Sequence, residues 1–450
     1  MSGWRDSLLV YCDKKILTIL LLGFSSGLPL LLTFSTLSAW LAQDGVNRTS
    51  IGLFALVGAP YALKFLWSPL IDRLPPPLPL GRRRGWGVSI QLALIGSLAL
   101  LGSCDPKENL AVMASLAVLT AFLSASQDIV IDAYRVESLN SGQQGAGAGA
   151  TQTGYRIAML ASGAGALFIA HGAGWFAAYV AMAALQGVGL IVLLFAPEEP
   201  EVTITEDVLA REEQANAILM RYAGLDKRLA ALASWFYGAV VCPFADFMAR
   251  PRWVAIAIFI VAYKLGEAMA GVMAQPLYID LGFSLAEIAA VSKVFGFAAT
   301  VLGSLLGGIV VARYGVFPSL LLCGVLQSCG NLFYVLQVMA GHQTSFLALC
   351  VFAENLTGGM AGAALIAYLS GLCSVAYTAT QYALLSSLSA MGRTMFASSG
   401  GWFAEQMGWI PFFLLTTAIT IPALLLLCWM MRSPHFSPQA DGGDPGNLPK

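Results

Sequence analysis

Acidic and basic side chains recur at helical spacing within one apolar stretch of the chain, SASQDIVIDAYRVE. Asp128, Asp132 and Arg135 are separated by four and three residues, so a helix places them on one face. Glu137 lies five residues beyond Asp132 and projects to the opposite face, which is typical of gate packing. Two interpretations stay open for the stripe. It is either a proton-coupling relay in which Arg135 tunes the carboxylates, or a structural ion pair that latches helix ends.

Further ionisable residues interrupt other apolar stretches. A charged side chain near the centre of a bilayer costs about 2.5–3.5 kcal/mol on insertion scales, so each one needs a partner, water or a function. Lys264 and Glu267 are three residues apart and can pair. Five cations against four carboxylates would make a central cavity balanced or slightly positive, which suits a substrate with carboxylates. The cations are Lys64, Arg156, Lys264, Lys293 and Arg393, and the carboxylates are Asp128, Asp132, Glu267 and Glu354, the last beside Asn355.

Metal, disulfide and enzyme chemistry find no support in the sequence. The three histidines are far apart, and most of the eight cysteines lie in or beside apolar runs without a CxxC pair, which predicts packing rather than ligation. A GxSxG string at 23–27 falls inside a predicted helix, without the strand that a nucleophile elbow requires. We therefore expect neither an enzyme nor a cofactor.

Composition fixes the environment of the chain. Of 450 residues, 58% are hydrophobic and 11% are charged, with a mean hydropathy of +0.74. Soluble domains carry about 25% charged residues, so this chain is predicted to be an integral membrane protein. A net charge of −1 argues against binding nucleic acid.

Hydropathy predicts twelve membrane-spanning helices, at 15–41, 50–72, 86–103, 109–138, 146–171, 174–196, 252–280, 284–312, 316–340, 344–371, 374–400 and 409–431. The polar segment after the sixth divides them into two six-helix bundles. The predicted organisation is an N-terminal bundle at 1–196, a linker with an interfacial helix at 197–251, a C-terminal bundle at 252–432 and a disordered tail at 433–450. The apolar stretch 229–248 is interpreted as that interfacial helix, and a re-entrant pair of spans is the alternative.

The distribution of lysine and arginine predicts that both termini and the linker are cytoplasmic. With that orientation only Arg48 and Lys107 lie in outer loops. The two halves also resemble each other, because Ala-Thr-Gln begins the fifth helix of each, at 150–152 and 379–381. Internal repeats of this kind are typical of alternating-access transporters.

Twelve spans with a central loop and basic loops after spans two and eight resemble the major facilitator superfamily. Its loop motif normally reads G-x-x-x-D-R-x-G-R-R. Here SPLIDRLPPPLPLGRRRG keeps the Asp, the Arg and the later arginines, lacks the first Gly and inserts prolines. The predicted fold is all-α, with gating residues at Asp72, Arg73, Arg135, Glu137 and Arg313.

Longer strings are more specific. LLGFSSGLPLLLTFSTLSAWL, SASQDIVIDAYRVESL, YKLGEAMAGVMAQPLYIDLGFSLAEIAAVSKVFG and YTATQYALLSSLSAMGR look like the AmpG-type muropeptide permeases of Gram-negative bacteria. That resemblance covers nearly all of the membrane portion. It implies a monomeric, proton-coupled importer of N-acetylglucosaminyl-1,6-anhydro-N-acetylmuramyl peptides across the bacterial inner membrane, serving peptidoglycan recycling and, in some hosts, β-lactamase induction.

The resemblance also implies roles for residues. Proton coupling is expected at Asp128 and Asp132. Substrate contacts are expected at Gly27, Lys64, Gln127, Arg156, Lys264, Glu267, Lys293, Glu354, Asn355, Gln381 and Tyr382. The alternatives are a related acetyl-CoA or other anionic-metabolite transporter, which should show a denser arginine cluster for phosphates, and a non-transporting membrane sensor, which has no need of ionisable groups in five or more spans.

Overall fold

The computed structural model describes residues 9–46, 54–140, 142–196, 241–291, 295–374, 377–397 and 399–433, together with the single residues 217 and 237. Within these residues the structure is helical throughout. Nine continuous helical stretches in this described part are long and apolar enough to cross a membrane. One of these stretches, Gln144–Phe195, is long enough for two spans. Two further spans, at 54–73 and 378–397, are too interrupted or too weakly apolar to be counted among the nine. The layout therefore agrees with the predicted twelve.

The twelve helices are numbered α1 to α12 in chain order. Their bounds are α1 Lys14–Gln43, α2 54–73, α3 Arg82–Gly102, α4 Leu110–Ser138, α5 144–173, α6 174–195, α7 Trp253–Asp280, α8 Phe297–Tyr314, α9 Val316–Ala340, α10 Thr344–Gly371, α11 Thr378–Ala397 and α12 Trp409–Arg432.

Several spans are interrupted where the sequence disfavours a continuous helix. The second span consists of short helical pieces that include Ala59–Leu63 and Ser68–Arg73, each with a proline in its first turn, where proline is tolerated. The boundary between α5 and α6 lies at Gly174, whose φ of 84° favours glycine. The seventh helix breaks between Ala262 and Leu265.

Among the described residues, four short helices lie outside the spans. They are Val10–Cys12, Cys242–Met248, Leu285–Val291 and Gly400–Met407. Only the last part of the predicted interfacial helix 229–248 falls within the described residues, apart from Tyr237, and there Pro243 and Phe247 are buried. Residues 434–450, which hold nearly all of the predicted tail, lie outside the described residues.

One end of the molecule, called the termini end, holds the beginning of α1 and the end of α12. Arg252 before α7 donates to Ser433 after α12 at 3.3 Å, and Asp13 before α1 accepts from Gln143 before α5 at 2.7 Å. The opposite end is called the far end. The spans from the first half that contact the second half are chiefly α2, α4 and α5, and their partners are chiefly α8, α10 and α11.

The contact between α5 and α8 depends on small residues. A Cβ atom added to Gly149 would lie 2.6 Å from the carbonyl oxygen of Ser304, and one added to Gly145 would lie 2.6 Å from the Val311 side chain. Tyr11 donates across the same contact to the carbonyl of Leu305 at 3.0 Å. The two halves therefore pack backbone against backbone along these helices.

Candidate functional site

A polar cavity of about 230 Å³ lies between the two halves. The first half contributes only α5 to its lining, and the second half contributes α7, α8, α10 and α11. The polar side chains that line it are Gln152, Arg156, Lys264, Glu267, Thr300, Glu354, Asn355, Tyr382, Ser386, Ser389 and Arg393. Its size is below the ~300–1,000 Å³ of pockets that enclose drug-sized ligands, so this conformation accommodates only part of a larger substrate.

The break in α7 positions a charged pair on the cavity wall. Lys264 is the residue before the second piece of α7, and Glu267 lies in the first turn of that piece, where the helix dipole favours a carboxylate. The two side chains form the ion pair that their spacing predicts. Gln327 of α9 donates to the same carboxylate, and Lys264 donates to the carbonyl of Gly358 at 3.1 Å.

The second carboxylate of the cavity, Glu354, forms no ion pair among the described residues and is held by an amide, although the charges of Lys264 and Arg156 act on it. Asn355 donates to Glu354 at 2.8 Å and accepts a hydrogen bond from Thr300 of α8 at 2.9 Å. Gln152 of α5 joins the halves at the same level, because its side-chain oxygen accepts from Ser304 at 2.7 Å. The cavity thus combines charges of both signs with hydrogen-bonding groups, as a hydrophilic solute requires.

The predicted acidic stripe of α4 forms a second cluster, outside the residues that line the cavity. Ser26 of α1 donates to Asp128 at 2.5 Å. Asp132 lies 3.9 Å from Lys64 of α2 and 3.4 Å from Arg135. Arg135 itself is fully buried, donates to Ser370 of α10 at 2.7 Å and lies 5.0 Å from the centre of the Tyr382 ring.

Tyr382 connects the two sites. Its ring contacts Arg135 on one side and belongs to the cavity lining on the other. A change of charge at Asp132 therefore acts on Arg135, and Arg135 contacts Tyr382, which lines the cavity. Arg135 pairs with Asp132 and also bonds to the opposite half. The arrangement is therefore compatible both with a proton-coupling relay and with a structural ion pair that latches the helices.

The termini end is closed by a network centred on Asp72. Its carboxylate pairs with Arg83 at 2.7 Å and accepts from the backbone N–H and the hydroxyl of Thr380, at 2.8 and 2.7 Å. Arg83 also pairs with Glu137 at 2.6 Å, and both side chains are nearly inaccessible to solvent. Asp72 therefore joins α2, α3 and the first turn of α11.

The other predicted gating residues lie at the same end. Arg73 lies 5.3 Å from the centre of the Tyr377 ring, so it reaches across from the end of α2 to the residue before α11. Arg313 lies in the last turn of α8, 6.0 Å from the Tyr314 ring centre. The predicted gating positions thus occur together at one end, and their role in opening stays a prediction.

Three predicted substrate contacts instead pack helices together in this conformation. Gln127 is fully buried, donates to Ser25 at 3.0 Å and accepts from Gln186 at 2.8 Å. Gln381 accepts from the backbone of Ser374 and donates to Asp246 at 2.8 Å. A Cβ atom on Gly27 would lie 2.5 Å from the carbonyl oxygen of Tyr155, so this glycine permits close packing of α1 and α5.

Lys64 is likewise separate from the cavity and pairs with Asp132. Lys293 lies outside the described residues. The remaining predicted contacts, at Arg156, Lys264, Glu267, Glu354, Asn355 and Tyr382, all line the cavity. Of the ten predicted contacts that the structure describes, six line the cavity and four do not, and the substrate roles of all eleven remain predictions.

Some polar residues of the cavity were not among the predicted substrate contacts. Ser386 and Ser389 were not predicted at all, and Arg393 was expected only as one of the cavity cations; all three lie with Tyr382 on one face of α11, at intervals of four, three and four residues. That regular spacing on one helix face is the signal by which the sequence could have identified them. Gln152 carries the same kind of signal, four residues before Arg156.

Comparisons with known proteins agree with this architecture. A model of the Major Facilitator Superfamily matches residues 19–265 and 254–450. The proton:xylose symporter XylE, in a crystal structure with 6-bromo-6-deoxy-D-glucose, superposes with a TM-score of 0.62 at 14% identity, covering 95% of each chain. A bacterial homologue of the iron transporter ferroportin, in an outward-facing state, superposes with a TM-score of 0.63 at 13% identity, and the match covers 93% of this chain and 98% of the other.

Relatives with similar sequences narrow the family further than the structural comparisons do. The anhydromuropeptide permease of Escherichia coli strain K12 is 40% identical over 420 residues, which cover 93% of this chain and 80% of the relative. The putative transporter AmpG 4 of Rickettsia felis is 34% identical over 430 residues, 94% of this chain and 98% of the relative. The chain therefore belongs to the Major Facilitator Superfamily and, within it, to the AmpG permease family. It is a membrane transporter, not an enzyme.

Proposed function

We propose that this protein imports anhydromuropeptides, N-acetylglucosaminyl-1,6-anhydro-N-acetylmuramyl peptides, across the bacterial inner membrane in symport with protons, for peptidoglycan recycling. The observation that carries this proposal is the polar cavity between the halves, with Arg156, Lys264 and Arg393 in its wall. A disaccharide peptide has hydroxyl, amide and carboxylate groups that such a wall can bind. The identity to the Escherichia coli permease supports the same substrate class.

The direction of transport follows from the orientation. Both termini are cytoplasmic in this proposal, because lysine and arginine are concentrated in the loops of the termini end. The termini end is closed by the Asp72 network and by the contact of Arg135 with Ser370. The described conformation then exposes its cavity toward the periplasm, where fragments of the cell wall are released. The transporter acts as a monomer, with one substrate pathway between the two bundles of one chain.

Proton coupling is assigned to Asp128 and Asp132. Asp132 lies between Lys64 and Arg135, and Arg135 contacts both Ser370 and Tyr382 of the second half. When Asp132 or its neighbour Asp128 takes up a proton, Lys64 and Arg135 lose part of their counter-charge. The contact across the halves then weakens, which links proton uptake to opening of the termini end.

The test is uptake of labelled anhydromuropeptide by proteoliposomes that contain the purified protein. An inward proton gradient is expected to drive accumulation in the wild type. The Asp128→Asn variant is expected to exchange substrate across the membrane without a gradient but to lose most gradient-driven accumulation. Asp44→Asn is the matched control, because Asp44 lies after α1 at the far end and accepts only from Trp40 at 2.9 Å among the contacts described.

The results separate the parts of the proposal. Wild-type accumulation that is indifferent to the gradient would show that coupling is wrong while import stands. Failure of the wild type to move any anhydromuropeptide would show that the substrate class is wrong. Full gradient-driven uptake by Asp128→Asn, equal to that of Asp44→Asn, would remove Asp128 from the coupling mechanism and leave Asp132 as the candidate.

A further inference from the structure

Two arginines face the cavity from opposite halves of the protein. Arg156 lies on α5 and Arg393 on α11, both line the cavity, and both side chains are exposed to it rather than enclosed. Arg156 lies 12 residues into α5 and Arg393 15 residues into α11, or about 18 and 22 Å from the termini end of each helix at ~1.5 Å per residue. The two guanidinium groups therefore extend from comparable depths.

These arginines differ from the other cations of the two sites because neither is held in an ion pair in the part of the chain that the structure describes, although the charges of Arg156 and Glu354 act on each other within the cavity. Lys264 is paired with Glu267, and Lys64 with Asp132. Within the described residues, neither Arg156 nor Arg393 has a carboxylate at ion-pair distance. The contact found for Arg156 is with the sulfur of Met159 at 4.0 Å, which does not compensate a charge.

An unpaired cation inside a membrane protein is costly, and it is retained where a ligand or water supplies the missing charge. Arginine presents a planar set of donors that matches a carboxylate with two parallel hydrogen bonds. The described cavity wall has three cations, Arg156, Lys264 and Arg393, against two carboxylates, Glu267 and Glu354, so it keeps a net positive charge. A negatively charged group from outside is therefore the complement that the cavity lacks.

We infer that Arg156 and Arg393 form a carboxylate clamp that binds the acidic groups of the substrate from both halves of the transporter. This inference rests on the proposed function and adds to it the pair of residues that binds the acidic groups, including Arg393, which was expected in the cavity but not among the substrate contacts. Ser389 and Ser386, on the face of α11 that carries Arg393, place hydroxyl groups beside the clamp, of which that of Ser386 donates to the carbonyl of Ala383 at 3.2 Å. Because each half contributes one arginine, a bound carboxylate also links the halves.

An anhydromuropeptide has two possible sources of that carboxylate. The stem peptide has free carboxylates, and the lactyl group of the muramyl residue has one when no peptide is attached. Four labelled compounds distinguish the sources. They are the disaccharide peptide with free carboxylates, the same compound with those carboxylates converted to amides, the peptide-free disaccharide with a free lactyl carboxylate, and that disaccharide as its lactyl amide.

The experiment measures concentration dependence of counterflow into proteoliposomes, which needs no proton gradient and so does not depend on coupling. For the wild type we expect a KM at least tenfold lower for an acid than for its matching amide. Arg393→Gln and Arg156→Gln should each raise the KM of the acid about tenfold or more, with little change for the amide. Arg393→Lys should restore part of the preference, since it keeps the charge and loses the two-point geometry.

Arg432→Gln is the matched control, because Arg432 is an exposed arginine in the last turn of α12 that does not line the cavity. It should leave the preference for acids unchanged. A preference confined to the peptide pair identifies the stem carboxylates as the bound groups, and one confined to the peptide-free pair identifies the lactyl carboxylate. Either result supports the clamp.

Two outcomes overturn it. If Arg393→Gln transports acid and amide with the wild-type KM ratio, or impairs both equally, the arginines do not recognise carboxylates, although the proposed function stands. If the wild type exchanges none of the four compounds while a reconstituted control transporter is active, the proposed function fails, and the clamp fails with it.

Discussion

Lys264 and Glu267 show how a membrane protein retains charge at a single residue. The lysine is 6% exposed, yet it has a carboxylate three residues away and the carbonyl of Gly358 as a second acceptor. The carboxylate in turn accepts from Gln327. Each group is compensated by its neighbours, so the free energy of the pair depends on both members being present.

Neutralising one member of this pair is therefore expected to destabilise the protein more than neutralising both. Lys264→Gln or Glu267→Gln leaves the remaining charge without its counter-charge, at a cost of about 3–5 kcal/mol for a fully buried pair and less where the cavity admits water. The double variant should recover most of that loss. Thermal unfolding in detergent, followed by tryptophan fluorescence, measures all three variants.

Glu287→Gln serves as the control for this cycle. Glu287 pairs with His342 at 3.5 Å, with about a third to a half of each side chain exposed, and such surface pairs contribute little. Its melting temperature should stay close to that of the wild type. Additive losses in the Lys264/Glu267 double variant would show that the two side chains do not compensate each other.

The sequence predicted which residues carry charge but not which way each one faces. Spacing placed Asp128, Asp132 and Arg135 on one face of α4, and it correctly predicted that Lys264 and Glu267 pair. Gln127 is adjacent to Asp128 and was expected in the cavity, but it lies in a buried amide cluster with Gln91 and Gln186. The rotation of a helix relative to its partners depends on tertiary packing, which periodicity does not contain.

At the scale of elements, α11 begins against a carboxylate from the other half of the chain. The first helical turn has N–H groups without an intrahelical acceptor, and a helix N-terminus attracts negative charge. Asp72 of α2 accepts from the backbone of Thr380 at 2.8 Å and, more distantly, of Ala379 at 3.4 Å. We propose that this contact breaks when the termini end opens, so that it stabilises the closed conformation selectively.

Asp72→Asn is expected to shift the transporter toward opening at the termini end. The substitution removes the charge that faces the helix N-terminus and Arg83, and losing a capping interaction typically costs about 0.5–2 kcal/mol, or roughly a two- to thirtyfold change in population. Cys373, which is half-buried after α10, provides the measurement. Its labelling by a maleimide should be faster in the variant, with the other seven of the eight cysteines replaced by alanine.

Asp44→Asn in the same background is the control, since Asp44 lies at the far end and should leave labelling of Cys373 unchanged. Equal labelling rates in Asp72→Asn and the wild type would show that this carboxylate does not hold the termini end closed. A sequence motif located Asp72 and its basic neighbours, but the bond to Thr380 was not predictable, because it joins residues 308 positions apart.

At the scale of the whole molecule, the buried apolar clusters mostly belong to one half or the other. One cluster combines residues of α1 to α6, including Leu28, Leu94 and Met182, and another combines residues of α7, α9, α10 and α12, including Tyr334 and Phe413. A third is drawn mainly from the second half but includes Ala148 of α5. Hydropathy predicted the number of spans, and prolines in the sequence mark the pieces of α2, whereas the break in α7 between Ala262 and Leu265 was not predicted.

This separation of cores leads to our proposal that each half folds as a unit and that the linker 197–251 only connects them. The halves meet through the small-residue contact of α5 with α8, through a small apolar cluster in which Ala379 and Ala383 of α11 pack against the first half, and through polar bonds such as Arg135 to Ser370. Co-expression of residues 1–216 with residues 217–450 should therefore give two fragments that purify together and restore uptake of anhydromuropeptide.

A chain divided after residue 107, between α3 and α4, is the comparison for the split at the linker. Such a cut separates α3 from α4, its neighbour in the same bundle, and divides the first core cluster. Fragments from this cut should assemble less and show lower uptake at equal expression. If both divided chains recover activity equally, or if the halves divided at the linker fail to associate, the two bundles are not the independent folding units of this transporter, and covalent continuity through the linker is required for its assembly.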